Sequence, residues 1–143
     1  MDDFFLRPFQ RTVERLQSPG GNVDYERFLE EVIEPIKEKR SFSYYPFDCH
    51  SQCFGEPTEI KWSNLIIVEG SYSCHPVLQD YYDYRIFVDI EEEEQARRIR
   101  KRNGEEQTKV FLNKWIPLEE KYFKECAIRE KCEMVLEMGD TNE

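Results

Sequence analysis

Two apolar runs, Asn64–Val68 (NLIIV) and Tyr84–Ile90 (YRIFVDI), constrain this chain more than any other feature. Continuous runs, unlike alternating ones, mark strands covered on both faces, as in parallel sheets flanked by helices. Segments of helical period surround them. Asp24–Lys39 sets Phe28, Leu29, Val32, Ile33 and Ile36 on one stripe, and Pro35 is expected to kink or end that helix. Residues 91–102 open on glutamates and close on basic residues, an order that complements the helix dipole, with Gly104 as the stop. Further helices are expected over 105–114 and 117–129, a short helix within His75–Tyr82, and a last strand over Cys132–Met138. The aromatic stretch Ser41–Phe54 suits a short strand or hairpin, and Gln17–Asn22 a loop. Strands alternating with helices predict βαβ units, hence an α/β fold with a parallel sheet. Ligands of such sheets bind beyond the carboxyl ends of the strands, which makes Glu69 a site candidate on physics alone.

The 143 residues suffice for one domain with a single core, and the reading is one domain over 1–143 with a lid-like helical region over 91–114. A net charge of −10 disfavours nonspecific binding to nucleic acid or to an anionic membrane surface. No stretch approaches the roughly 18 apolar residues of a membrane span. The opening Met1-Asp2-Asp3 is acidic where a secretory signal would be basic, so the cytoplasm is the expected compartment. Five irregularly spaced cysteines argue for reduced thiols rather than a disulfide framework. Cys49, His50, Cys53, Cys74 and His75 raise the question of zinc, but their spacing is not that of a strong tetrahedral site.

Several segments, in order, resemble the uridine kinase branch of the P-loop kinases: MDDFFLRP, NVDYERF, LIIVEGSYS, RIFVDIEEEEQARRIRKRNG, WIPLEEKYF and CEMVLE. The resemblance runs from Asp2 to about Glu137 and implies a P-loop kinase-like parallel sheet flanked by helices. It also implies transfer of the γ-phosphate of ATP, with Mg²⁺, to a nucleoside or similar small hydroxyl compound. Asp2 would be the carboxylate that orients or deprotonates the acceptor hydroxyl, with Asp3 the weaker candidate. Glu69 would lie near Mg²⁺, through water. Asp24 would bind nucleoside hydroxyls, although an Asp just before a helix is equally a favoured N-cap. Tyr44, Tyr45, Phe47 and His50 fall where the family holds the base, and a packed aromatic hairpin is the competing account. Arg97, Arg98 and Arg102 fall where lid arginines meet phosphates, while Glu93–Arg97 and Glu94–Arg98 spacing equally suits a solvated helix.

The chain departs from that family in one respect: no G-x-x-x-x-G-K-[ST] phosphate loop occurs in it. Family members place a strand, that loop and a helix ahead of the Asp-Asp-Phe-Phe motif. Their absence is expected to leave a strand edge and an apolar face open, met by a rearranged core or by a homodimer. It also predicts weak or absent ATP binding and weak or absent activity. The alternative is a non-catalytic nucleoside-binding, regulatory or dimerisation module; a kinase for pantothenate or ribulose phosphate is a third reading.

Overall fold

The structure is a computed structural model that describes residues 1–138. The described residues are mixed α/β, and they form two compact units, Met1–Tyr82 and the chain from Asp83 onward.

In the first unit Phe4–Leu6 runs extended and makes a single bridge, Phe5 to Val23. Helix α1 (Val13–Gln17) is capped by Thr12, whose side chain accepts from the Arg15 N–H. The turn-rich loop then folds back so closely that a Cβ on Gly21 would stand 1.9 Å from the Arg15 carbonyl oxygen. Asp24 caps the next helical rod: α2 (Tyr25–Phe28), a π turn (Leu29–Ile33) and α3 (Glu34–Lys37). Pro35 does not break it. The wide turn lies directly ahead of the proline, with the Glu34 N–H donating to the Leu29 carbonyl five residues back. Proline has no N–H, and its ring collides with the carbonyl four residues earlier in a regular helix. A π turn moves that carbonyl aside.

The expected stripe packs inward: Phe28, Val32 and Ile33 join Phe4, Phe42 and Leu78 as the core, with Val68 and Tyr82 packed against it. Each such side chain, fully buried, contributes roughly 1.5–3 kcal/mol. The aromatic stretch forms strands as read. Strand β1 (Phe42–Tyr44) pairs antiparallel with β4 (Thr58–Ile60), and β2 (Phe47–Asp48) with β3 (Cys53–Phe54) as a hairpin. Strand β4 had no counterpart in the sequence reading. His75–Tyr82 yields turns and a 3-10 turn at Gln79–Tyr81 rather than an α-helix.

The first apolar run is corrected by the structure. Residues 64–68 have no ladder partner among the described residues, and Leu65 and Ile67 are 75% and 80% exposed while Val68 packs on the core. A continuous apolar run requires cover on both sides, and here only one side has it.

In the second unit β5 (Ile86–Ile90) pairs parallel with β6 (Met134–Met138), in register Ile86 to Met134 through Ile90 to Met138. This is the parallel pairing among the described residues; the larger parallel sheet does not form there. The helical stretch α4 (Glu92–Val110) is two helices meeting at Gly104, whose φ of 80° and ψ of 172° are not helical, so the first helix stops where expected and a second follows it. A second π turn (Phe111–Trp115) precedes Pro117 and leads into α5 (Ile116–Glu125) and α6 (Ile128–Lys131). The device used at Pro35 thus recurs.

Side chains alternate across β5. On one face Phe87 meets Phe123 of α5 edge-on at 5.1 Å, Arg85 pairs with Glu133, and Asp89 pairs with Arg129. The other face, Ile86 and Val88 beside Met134, Leu136 and Met138, stays exposed. No helix among the described residues is long and apolar enough to cross a membrane.

Candidate functional site

The acidic pair at the start of the chain is brought against the end of the first apolar run. The Met1 nitrogen donates to the Glu69 carbonyl oxygen at 2.6 Å. Gly70 follows with φ 135°, and a Cβ there would stand 3.1 Å from Asp2 Oδ1. Only glycine takes that backbone geometry without strain, and it leaves room for the carboxylate. Asp2 and Glu69 are both exposed. Asp3 points elsewhere: the Tyr44 hydroxyl donates to its Oδ2 at 2.9 Å, and its carbonyl accepts from the Phe47 N–H at 2.9 Å. Burial, then the hydrogen bond to Asp3, push the Tyr44 phenol above its ordinary range.

One residue further along, the Phe4 carbonyl accepts from the Asp24 N–H at 2.9 Å. Asp24 is completely buried. Its Oδ1 accepts from the Arg27 N–H at 3.2 Å, the N-cap geometry, and its Oδ2 lies 3.3 Å from Arg7 Nη2. Capping and ion pairing therefore both engage this carboxylate. Arg7 is held in turn by Gln10, whose Oε1 accepts from the Arg7 Nε at 3.1 Å.

Arg27 was not foreseen. The residue is 6% exposed, and its guanidinium sits 4.4 Å from the centre of the Phe4 ring and 4.9 Å from that of Phe54. Nη2 donates to the Tyr45 carbonyl at 2.6 Å, and Nε lies 2.9 Å from Glu31 Oε1. Burial lowers its pKa, and Glu31 and Asp24 oppose that shift. The sequence signal available was a basic residue three positions after a helix cap, which ordinarily means a solvated face.

The base-holding candidates separate. Tyr44 joins Asp3; Tyr45 exposes its side chain while its carbonyl takes Arg27; Phe47 is buried, edge-on to Phe54 at 5.3 Å; His50 lies exposed at the hairpin turn. His75, in contrast, is buried and stacks on Tyr25 at 4.1 Å, and the Arg15 guanidinium lies 4.2 Å from the centre of that tyrosine ring. Its Nδ1 accepts from the Val77 N–H at 3.3 Å. Burial, then the charge of Arg15, lower its pKa to about 4.

In the second unit Arg97 and Arg98 both pair with Glu94, which they hold at a pKa of about 2. Arg102 Nε donates to Asn103 Oδ1 at 2.7 Å.

Among the described residues no three of His, Cys, Asp and Glu are grouped to hold a metal, and no disulfide joins the cysteines. Asp2 and Glu69 offer hard oxygen donors of the kind Mg²⁺ takes singly while keeping its waters. A phosphate cradle does not fit at the glycine pair, because the Gly21 N–H is spent on the Ser18 carbonyl and the backbone is packed on Arg15. Compared with known proteins, the chain matches no family model and no curated protein.

Proposed function

We propose that the chain carries the acceptor side of a nucleoside-kinase-like phosphotransferase, with weak or no transfer of its own. One observation supports this: Asp2 is set against Gly70, beside Glu69, at the end of an apolar segment, although these residues are far apart in sequence. In the reaction proposed, the acceptor hydroxyl oxygen attacks the γ-phosphorus of ATP, its proton passes to Asp2, and the bond to the β-phosphate oxygen breaks to release ADP. Glu69 would hold Mg²⁺ through water, and the ion's chemistry there would be charge neutralisation at the phosphate oxygens. Asp24 would take a hydroxyl of the acceptor. Positioning and electrostatics supply most of such catalysis, so 143 residues without a glycine-rich phosphate loop transfer poorly.

Calorimetry with uridine, and separately with Mg-ATP, tests the reading. Saturable uridine binding that is lost in Asp24→Asn, with no micromolar Mg-ATP binding, is expected. Absence of any nucleoside binding overturns the acceptor assignment, and micromolar Mg-ATP affinity overturns the prediction of a weak donor side. Saturable uridine binding with no turnover under any ATP concentration favours the second reading, a nucleoside-binding module.

A further inference from the structure

We propose that the free edge of β5 pairs antiparallel with β5 of a second copy, on a two-fold axis through Phe87. This stands apart from the phosphotransfer reading.

Among the described residues, β5 has β6 on one side and no strand on the other. An unpaired edge is a template for a further strand, and a pair of strands alone is marginal in water. The open face beside that edge is apolar throughout: Ile86 is 46% and Val88 56% exposed, with Met134, Leu136 and Met138 also exposed.

The strand is complementary to itself. Antiparallel pairing centred on Phe87 sets Ile86 opposite Val88 and Arg85 opposite Asp89, twice by symmetry. Opposite charges and apolar pairs directly across from one another stabilise such ladders, and like charges oppose them. The face that Phe87 shares would gain an aromatic pair flanked by Arg85, Glu133, Asp89 and Arg129, whose charges already balance within each copy. Strand β6 lacks this property. Its charged residue is Glu137, with Glu133 just before it, so a second copy at its edge adds acid to acid in a chain of net charge −10. A second copy at β5 is therefore the occupant the charges select.

Sedimentation of the full chain tests the pairing. Wild type is expected to dimerise. Ile86→Lys with Val88→Lys sets lysine opposite lysine at both symmetric positions and is expected to weaken the dimer by about tenfold or more. Ile86→Lys with Val88→Glu sets opposite charges there and is expected to restore it, more so at low salt. Both positions are exposed, and circular dichroism checks that the variants fold. Independently of any variant, backbone amides of 86–90 in wild type should gain hydrogen-exchange protection as concentration rises. A monomeric wild type, a dimer unaffected by the lysine pair, a lysine–glutamate variant that stays monomeric, or exchange at 86–90 independent of concentration each overturns the proposal.

Discussion

Arg27 Nη2 donates to the carbonyl of Tyr45 at 2.6 Å, tying the helix that carries Asp24 to the aromatic strands. Because the guanidinium also lies between Phe4 and Phe54, it acts as a planar spacer rather than a point charge. Arg27→Ala is expected to lower the unfolding free energy by about 1–3 kcal/mol, since it leaves the half-buried Glu31 carboxylate and the Tyr45 carbonyl without their partner. Arg27→Lys should recover little of that loss, because an ammonium cannot stack on both rings. Urea denaturation of the three proteins gives the comparison, and full rescue by lysine would contradict the stacked role.

Asp24 has two duties that substitution separates. Asparagine keeps the N-cap and alanine does not, so Asp24→Ala should lose about 1 kcal/mol more than Asp24→Asn through the cap alone. If the carboxylate binds acceptor hydroxyls, both variants lose uridine binding to a similar degree. Denaturation and calorimetry on the pair check this, and retained binding in either variant removes Asp24 from the acceptor site.

His75 predicts a pH dependence of defined sign. Its folded pKa of about 4 lies below the unfolded value near 6.5, so between them the unfolded chain holds more protons. Stability is therefore full above pH 6.5 and falls as pH drops from 6.5 to 4, by on the order of 3 kcal/mol. Replacing the ring by His75→Phe, which keeps a stack on Tyr25, should flatten that part of the profile. Urea midpoints at pH 7, 5.5 and 4.5 measure it; an unchanged slope in the variant would assign the effect elsewhere.

Gly70 is the hinge of the Asp2 contact. With φ 135° and the Asp2 carboxylate oxygen 3.1 Å from an added Cβ, Gly70→Ala strains the backbone and displaces that carboxylate. A cost of about 1–3 kcal/mol is expected from the backbone alone. Thermal denaturation against wild type checks it. Unchanged stability would mean that the segment relaxes, and uridine calorimetry on the same variant shows whether Asp2 still acts.

What the residues determined alone is local. The apolar stripe Phe28, Val32 and Ile33, the cap at Asp24, the strand tendency of Phe42 and Phe47, and the break at Gly104 all follow from side-chain period, capping chemistry and backbone freedom, which act over a few residues. Pro35 shows the limit of that reasoning. The sequence required a disturbance there, but whether the rod bends, ends or widens into a π turn depends on the packing that holds its far end.

The tertiary structure decided which of these pieces meet. Nothing in the spacing of Asp2 and Gly70, or of Tyr25 and His75, says that they touch; the packing of Phe4 and Leu78 into one core brings these segments together. It also decided burial. Arg27 reads as a solvated helix residue and is enclosed, whereas Leu65 and Ile67 read as enclosed and are exposed. The reason is the same in both cases: a side chain's own polarity sets what burial costs, but only neighbours from distant parts of the chain can supply the partners or the cover.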